Sequence, residues 1–233
     1  MTDDGGTAQD PRLRDYVAWH TAYDDPSSAL SARLREVQAQ LTTYLEGTAP
    51  AAVQVISVCA GEGRDILGVL AQRDDRERVT GALVEIDEAI CAVADAEIVA
   101  LGCAGRIIVR RADAGLLSAY EGLRPADLLL LSGIMGNITA ADIRRLIHVA
   151  RTLCAPGATV LWTRGAQEPD LGPAIRAWFD EAGFERVSVT EQVEGTAMRV
   201  GVERLVADPA SPLPEEAALQ PSGPEGRIFT FYR

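Results

Sequence analysis

No lysine occurs in the chain; all 22 of its basic residues are arginine. Mechanisms that need a lysine Schiff base, or the lysine of a Walker-type phosphate loop, are therefore excluded. A coding bias towards arginine and alanine explains the absence more simply than any function does. Histidine is scarce too, with only His20 and His148. Cys59, Cys91, Cys103 and Cys154 show no CxxC spacing, so neither a zinc site nor a disulfide framework is indicated, and no metal is expected. They read as small buried apolar residues. No apolar run reaches the roughly 18 residues of a membrane span. The N-terminus, MTDDGGTAQD, is acidic and lacks the apolar core of a signal peptide, so the expectation is a cytoplasmic protein with no membrane partner. Positive charge is also short: the formal net charge is −12, which repels polyanions and counts against DNA or RNA as substrate.

What is present suits an ordinary globular protein. The 233 residues are 47% apolar and 24% charged, enough for one large α/β domain. Residues 1–12 read as disordered, 13–47 as a helical segment lying over the rest, and 48–233 as the main domain. Pro26-Ser27-Ser28 starts a helix with Leu30, Leu34, Val37, Leu41 and Leu45 on one stripe, ending near Gly47.

After Pro50 strands and helices alternate. Strands are expected at Val53–Cys59, Gly81–Ile86, Arg106–Arg110, Asp127–Ser132 and Thr159–Thr163. Helices are expected at Arg64–Gln72, Glu88–Leu101, Ala140–Leu153 and Pro173–Ala182. The unbroken apolar runs of the first and fourth strands predict burial on both faces, as in a parallel, doubly wound sheet. Phe184–Val193 and Met198–Leu205 then read as an antiparallel hairpin through Glu194-Gly195-Thr196. A proline-rich stretch, Asp208–Glu225, precedes a last apolar run, RIFTFY.

The densest functional signal is VQVISVCAGEGRD at Val53–Asp65, a strand running into a glycine turn with a helix directly behind it. About twenty residues on, the next strand ends in Glu85. Glycines there let a ligand approach the backbone, and a carboxylate one strand over can grip a ribose diol, which predicts a nucleoside pocket. A dinucleotide fingerprint would need a third Gly or Ala where this chain has Ile66, so NAD and FAD are disfavoured.

Taken in order, the GEG turn, the acidic end of strand two, RADAG, ADLLLLSG and the APG before strand five resemble the class I S-adenosylmethionine-dependent methyltransferases. The resemblance covers roughly Val53 to Leu205. It implies an α/β fold with a doubly wound, seven-stranded, mostly parallel sheet, a C-terminal antiparallel β-hairpin and an N-terminal helical lid. It also implies S-adenosylmethionine as cofactor. Cys59, Ala60, Gly61 and Gly63 would line its methionine end, Glu85 would take the ribose hydroxyls, and Ile86 would lie against the adenine. Asp113 would accept from the adenine amine with Ala114 near the ring, and Ser132, Gly133 and Ile134 would face the methyl group. The turn departs from the family in having Ser57 and Cys59 where an acidic residue and a further glycine are usual. More narrowly, WHTAYDD with CAGEGRD, GNI and WTRG resembles an actinobacterial group of methyltransferases.

Other positions have two readings each. Asp65 either complements the helix dipole or contacts the cofactor's ammonium. Arg64 either binds a carboxylate or lies at the surface, and Asp87 reads as a helix cap. His20 and Tyr23, in YVAWHTAYDD, either touch cofactor or substrate or belong to a segment that packs on the domain. Asn137 faces the acceptor or caps a loop. Trp162 and Arg164, closing strand five, are candidate substrate contacts. His148 and Phe229 read as structural. The expected activity is methyl transfer to an O or N atom of a small molecule, with His20 as the one imidazole placed to serve as base. The chain carries no appended recognition domain, which favours a small acceptor. A non-catalytic cofactor-binding protein of the same fold is the alternative, and a homodimer stays open.

Overall fold

A computed structural model describes residues 21–166, 168–211, 221 and 226–232. Residues 1–20, with the expected disordered terminus, the start of the lid segment and His20, lie outside that set. The elements run α1 (Ala29–Thr48), β1 (Val53–Val58), α2 (Arg64–Leu70), β2 (Val79–Glu85), α3 (Glu88–Ala100), β3 (Ile107–Arg111), β4 (Ala126–Leu131), α4 (Ala140–Leu153), β5 (Cys154–Gly165), α5 (Gly172–Glu181), β6 (Phe184–Thr190) and β7 (Met198–Leu205). Short 3₁₀ turns cover Thr21–Asp24, Arg76–Arg78 and Leu117–Tyr120.

One seven-stranded sheet results, in the order β3-β2-β1-β4-β5-β7-β6. The first five strands pair in parallel, and β7 runs antiparallel to both β5 and β6. Alternation along each strand divides the core into two layers. Leu128 and Leu130 of β4 join α1, α2 and α3 on one face. Leu129 and Leu131 join α4 and α5 on the other. Helix starts follow their local chemistry: Ser28 accepts from the Ser31 amide, Thr139 from Asp142, and Asp87 from Ala89 and Ile90, the capping role expected of it.

Two differences from the sequence expectation have clear causes. Strand β5 begins at Cys154 rather than Thr159, because the β4–β5 register jumps from Ala126↔Cys154 to Leu128↔Thr159. The surplus residues on β5 bulge, which lets Pro156 sit in a strand without a ladder N–H. On α1 the buried stripe is Arg33, Val37, Leu41 and Leu45, while Leu30 and Leu34 are only half-buried. A charged residue therefore occupies the stripe's first turn.

Residues 226–232 form no element of their own. The Ile228 amide donates to the Gly115 carbonyl (2.7 Å), the Leu117 amide to the Gly226 carbonyl (2.9 Å), and the Tyr232 amide to the Asn137 carbonyl (3.1 Å). Ile228 and Phe229 are fully buried, so this segment fastens the turn after β3 to the loop after β4.

Candidate functional site

Strand order reverses between β1 and β4: from β1 the chain proceeds to β2 and β3 on one side, then returns to β4 on the other. At such a switch point the connections leave in opposite directions and open a crevice beyond the strands' carboxyl ends. Strands β1 and β4 are in register through Ser57↔Leu130, so the turns following them stand side by side.

The turn after β1 holds three residues in the left-handed region: Cys59 (φ 50), Gly61 (φ 57) and Gly63 (φ 72). A Cβ at Gly63 would lie 2.7 Å from Leu83 Cδ1 and 3.0 Å from Leu67 Cδ1. Glycine there lets α2 start close against β2. Ile66, one turn into α2, is wholly buried beneath it. Burial pushes the Cys59 thiol well up, reinforced by the charges of Glu85 and Asp113, so it is no thiolate nucleophile.

Glu85 ends β2 beside this turn. Its Oε2 accepts from the Gly61 amide (2.9 Å), and its Oε1 accepts from the amides of Ile86 (2.8 Å) and Asp87 (3.0 Å). Three backbone donors thus fix one carboxylate, 9% exposed, at the mouth of the crevice. A carboxylate has about four acceptor positions, so one remains, on Oε2, for a hydroxyl donor. The next residue, Ile86, is an apolar side chain 60% exposed. Across the same mouth, Asp113 Oδ1 accepts from the Gly115 amide (2.8 Å), and Arg227 Nη1 donates to its Oδ2 (3.2 Å).

The opposite wall is the loop after β4. The Gly133 amide donates to Thr163 Oγ1 (2.8 Å), Asn137 Nδ2 donates to the Gly133 carbonyl (2.8 Å), and Arg164 Nη1 donates to the Met135 carbonyl. Ser132 Oγ, at the end of β4, is buried with no hydrogen-bond partner among the described residues.

Cys59, Ala60, Gly61, Gly63, Glu85, Ile86, Asp113, Ser132 and Gly133 therefore stand at or just past the carboxyl ends of the neighbouring strands β1, β2, β3 and β4. Others stand elsewhere or serve differently. Trp162, expected among the substrate contacts, is 0% exposed; its ring stacks on Phe179 at 6.1 Å and its Nε1 donates to Glu203 (3.3 Å). The strand alternation aims it into the α5 layer. Ile134 is likewise sunk in the core, and Arg164 is buried as a brace for the loop. Arg64 turns outward to Glu62 and Asp24 (3.1 Å to the latter). Tyr23 lies with its ring near the guanidinium carbons of Arg33 (5.8 Å) and Arg64 (5.5 Å), and Arg33 donates to its hydroxyl. Two contributors were missed from sequence, Thr163 and Arg33. The first has no motif. The second leaves a trace, an arginine four residues ahead of Val37 on the apolar stripe.

No family model matches the chain. Nor does any curated protein. Solved structures do. The magnesium protoporphyrin IX methyltransferase of Synechocystis, solved with bound S-adenosylhomocysteine, aligns with a TM-score of 0.63 at 12% identity, over 83% of this chain and 94% of that one. An O-methyltransferase family protein from Burkholderia thailandensis aligns with 0.60 at 20% identity, over 82% of this chain; the match spans only 60% of that protein's length. A candidate rRNA methylase from Clostridium thermocellum gives 0.56 at 13% identity, over 73% and 96%. At such identities the shared property is the fold. The chain has the class I methyltransferase fold.

Among the described residues no helix is long and apolar enough to cross a membrane. None of their acidic, histidine and cysteine residues cluster into a metal site.

Proposed function

We propose that the protein is an S-adenosylmethionine-dependent methyltransferase that methylates an O or N atom of a small acceptor. The observation that carries this reading is Glu85, held by the amides of Gly61, Ile86 and Asp87 at the mouth of the switch-point crevice. The residues present fit the cofactor. Glu85 would take a ribose hydroxyl at its remaining acceptor position, the exposed Ile86 would be covered by the adenine face, and Asp113 would accept from the adenine amine. The partnerless Ser132 hydroxyl and the backbone of Gly133 would border the reacting end.

When bound, S-adenosylmethionine supplies an electrophilic methyl group on a sulfonium. What the chain contributes is alignment and the exclusion of water, which can lower a barrier by roughly 7–11 kcal/mol. The braces from Thr163, Asn137 and Arg164 keep the loop after β4 in one place for that purpose. If the acceptor is a hydroxyl, His20 would serve as base. The acidic net charge favours a small acceptor over a nucleic acid. A cytoplasmic location belongs to the same reading.

Calorimetry with S-adenosylhomocysteine tests it. Wild type should bind, and Glu85→Ala should abolish detectable binding; undiminished affinity in that variant would refute the pocket. A protein that binds the nucleoside yet methylates nothing across a panel of phenols, amines and carboxylic acids would be the non-catalytic alternative.

A further inference from the structure

The glycine that closes RADAG leaves space for a distant part of the chain. A Cβ at Gly115 would lie 2.5 Å from the Phe229 carbonyl oxygen, 3.0 Å from Asp113 Oδ1 and 3.4 Å from Arg227 Nη1. Backbone, carboxylate and guanidinium therefore converge on one point, and a residue without a side chain lets them meet. Arg227 is held there from both sides. Its backbone bridges to Leu116, the Leu117 amide donates to the Gly226 carbonyl (2.9 Å), and the Ile228 amide donates to the Gly115 carbonyl (2.7 Å). Arg145 of α4 donates to the Ile228 carbonyl (3.2 Å), and the buried side chains of Ile228 and Phe229 fix the segment in the core.

Arg227 Nη1 donates to Asp113 Oδ2 (3.2 Å), while the Gly115 amide donates to Oδ1 (2.8 Å). One donor on each oxygen sets the plane of this carboxylate and leaves two of its roughly four acceptor positions open. The two side chains are 35% and 36% exposed, and an ion pair in such surroundings adds little to stability. What it supplies is orientation. Arg227 lies beyond the stretch Val53–Leu205 that resembles the methyltransferases, so no family motif assigns it a role.

Orientation matters for a carboxylate that reads a purine edge. Adenine presents an exocyclic amine; hypoxanthine presents a carbonyl oxygen there, with an N1–H beside it. A carboxylate free to turn can accept from that N1–H instead. One held at the position of the amine meets the carbonyl oxygen as two acceptors face to face, each left unsatisfied.

We infer that Arg227 is a positioning residue, holding Asp113 in the orientation that selects adenine over hypoxanthine in the cofactor. This rests on the proposed function and adds to it a residue from segment 226–232.

Calorimetry with S-adenosylhomocysteine and its 6-oxo analogue, S-inosylhomocysteine, tests it in wild type, Arg227→Met, Asp113→Ala and the double variant. Wild type should prefer the adenine ligand by at least about tenfold, the weight of one hydrogen bond to a charged group. In Arg227→Met that preference should fall at least about threefold, because hydrogen bonds weaken steeply when misaligned. In the Asp113→Ala background the same substitution should leave the preference unchanged within about twofold, the margin for sites that do not interact. An unchanged preference in Arg227→Met overturns the inference, whether or not both affinities fall together as a merely structural role would have it. So does an equal fall in preference in the absence of the Asp113 carboxylate. Should Arg227→Met fail to fold, Arg227→Gln is read by the same ratios. A wild-type preference near one overturns the inference and leaves the Glu85 site standing. Binding of neither ligand to wild type overturns the functional reading itself, and this inference with it.

Discussion

Glu203 shows how much one residue's surroundings can alter its chemistry. It lies on β7, wholly buried, beside the Trp162 indole that donates to it and with Arg186 Nε 3.8 Å away. Burial raises its carboxyl from 4.5 to about 7, and Asp180 adds to the rise; Trp162, Arg186 and Arg176 oppose it. The folded protein thus holds this proton more tightly than the unfolded chain does. The resulting stability is complete below the unfolded value near 4.5 and is lost as pH climbs through about 7. Wild type should therefore lose roughly 3 kcal/mol relative to Glu203→Gln between those limits, since each tenfold gain in proton affinity on folding is worth about 1.4 kcal/mol. Urea unfolding at pH 5 and pH 8 measures the difference. Parallel pH profiles for the two proteins would rule this role out.

Elements meet most tightly where a side chain is missing. A Cβ at Gly81, in the middle of β2, would lie 2.1 Å from the Val55 carbonyl oxygen of β1. That neighbour is backbone and cannot swing aside, so Gly81→Ala should cost at least about 3 kcal/mol by forcing two paired strands apart. Gly201 on β7 is equally tight, directly opposite Trp162 in the register, with the buried indole 2.3 Å from where a Cβ would lie. Gly47, in the last turn of α1, has nothing within 4 Å of such an atom. Gly47→Ala should raise stability by up to about 1 kcal/mol through helix propensity alone. Thermal melts of Gly81→Ala and Gly47→Ala should shift in opposite directions, and a shift of the same sign would contradict the packing described. The hairpin β6–β7, the cap at Asp87 and the burial of β4 on both faces were legible in sequence because each depends on neighbours a few residues away.

For the whole molecule, the segment 226–232 joins parts that are far apart in the chain. Phe229 sits in the same apolar layer as Ala114, Tyr120 and Met135, with its ring 5.6 Å from that of Phe231. Phe229→Ala should cost about 3–5 kcal/mol, the usual penalty for an emptied aromatic site. Unfolding in denaturant should remain a single transition with a lower midpoint; an unchanged midpoint would show the segment to be dispensable. The doubly wound sheet and the carboxylate at the end of β2 could be inferred from residue order, because hydrophobic period and turn chemistry are local properties. The inward burial of Trp162, the outward turn of Arg64 and the sinking of Arg33 against Gly133 could not. Those three were settled by which elements became neighbours and which face each side chain then met; only Arg33 left a local trace, its place four residues ahead of Val37, and that trace does not say what it meets.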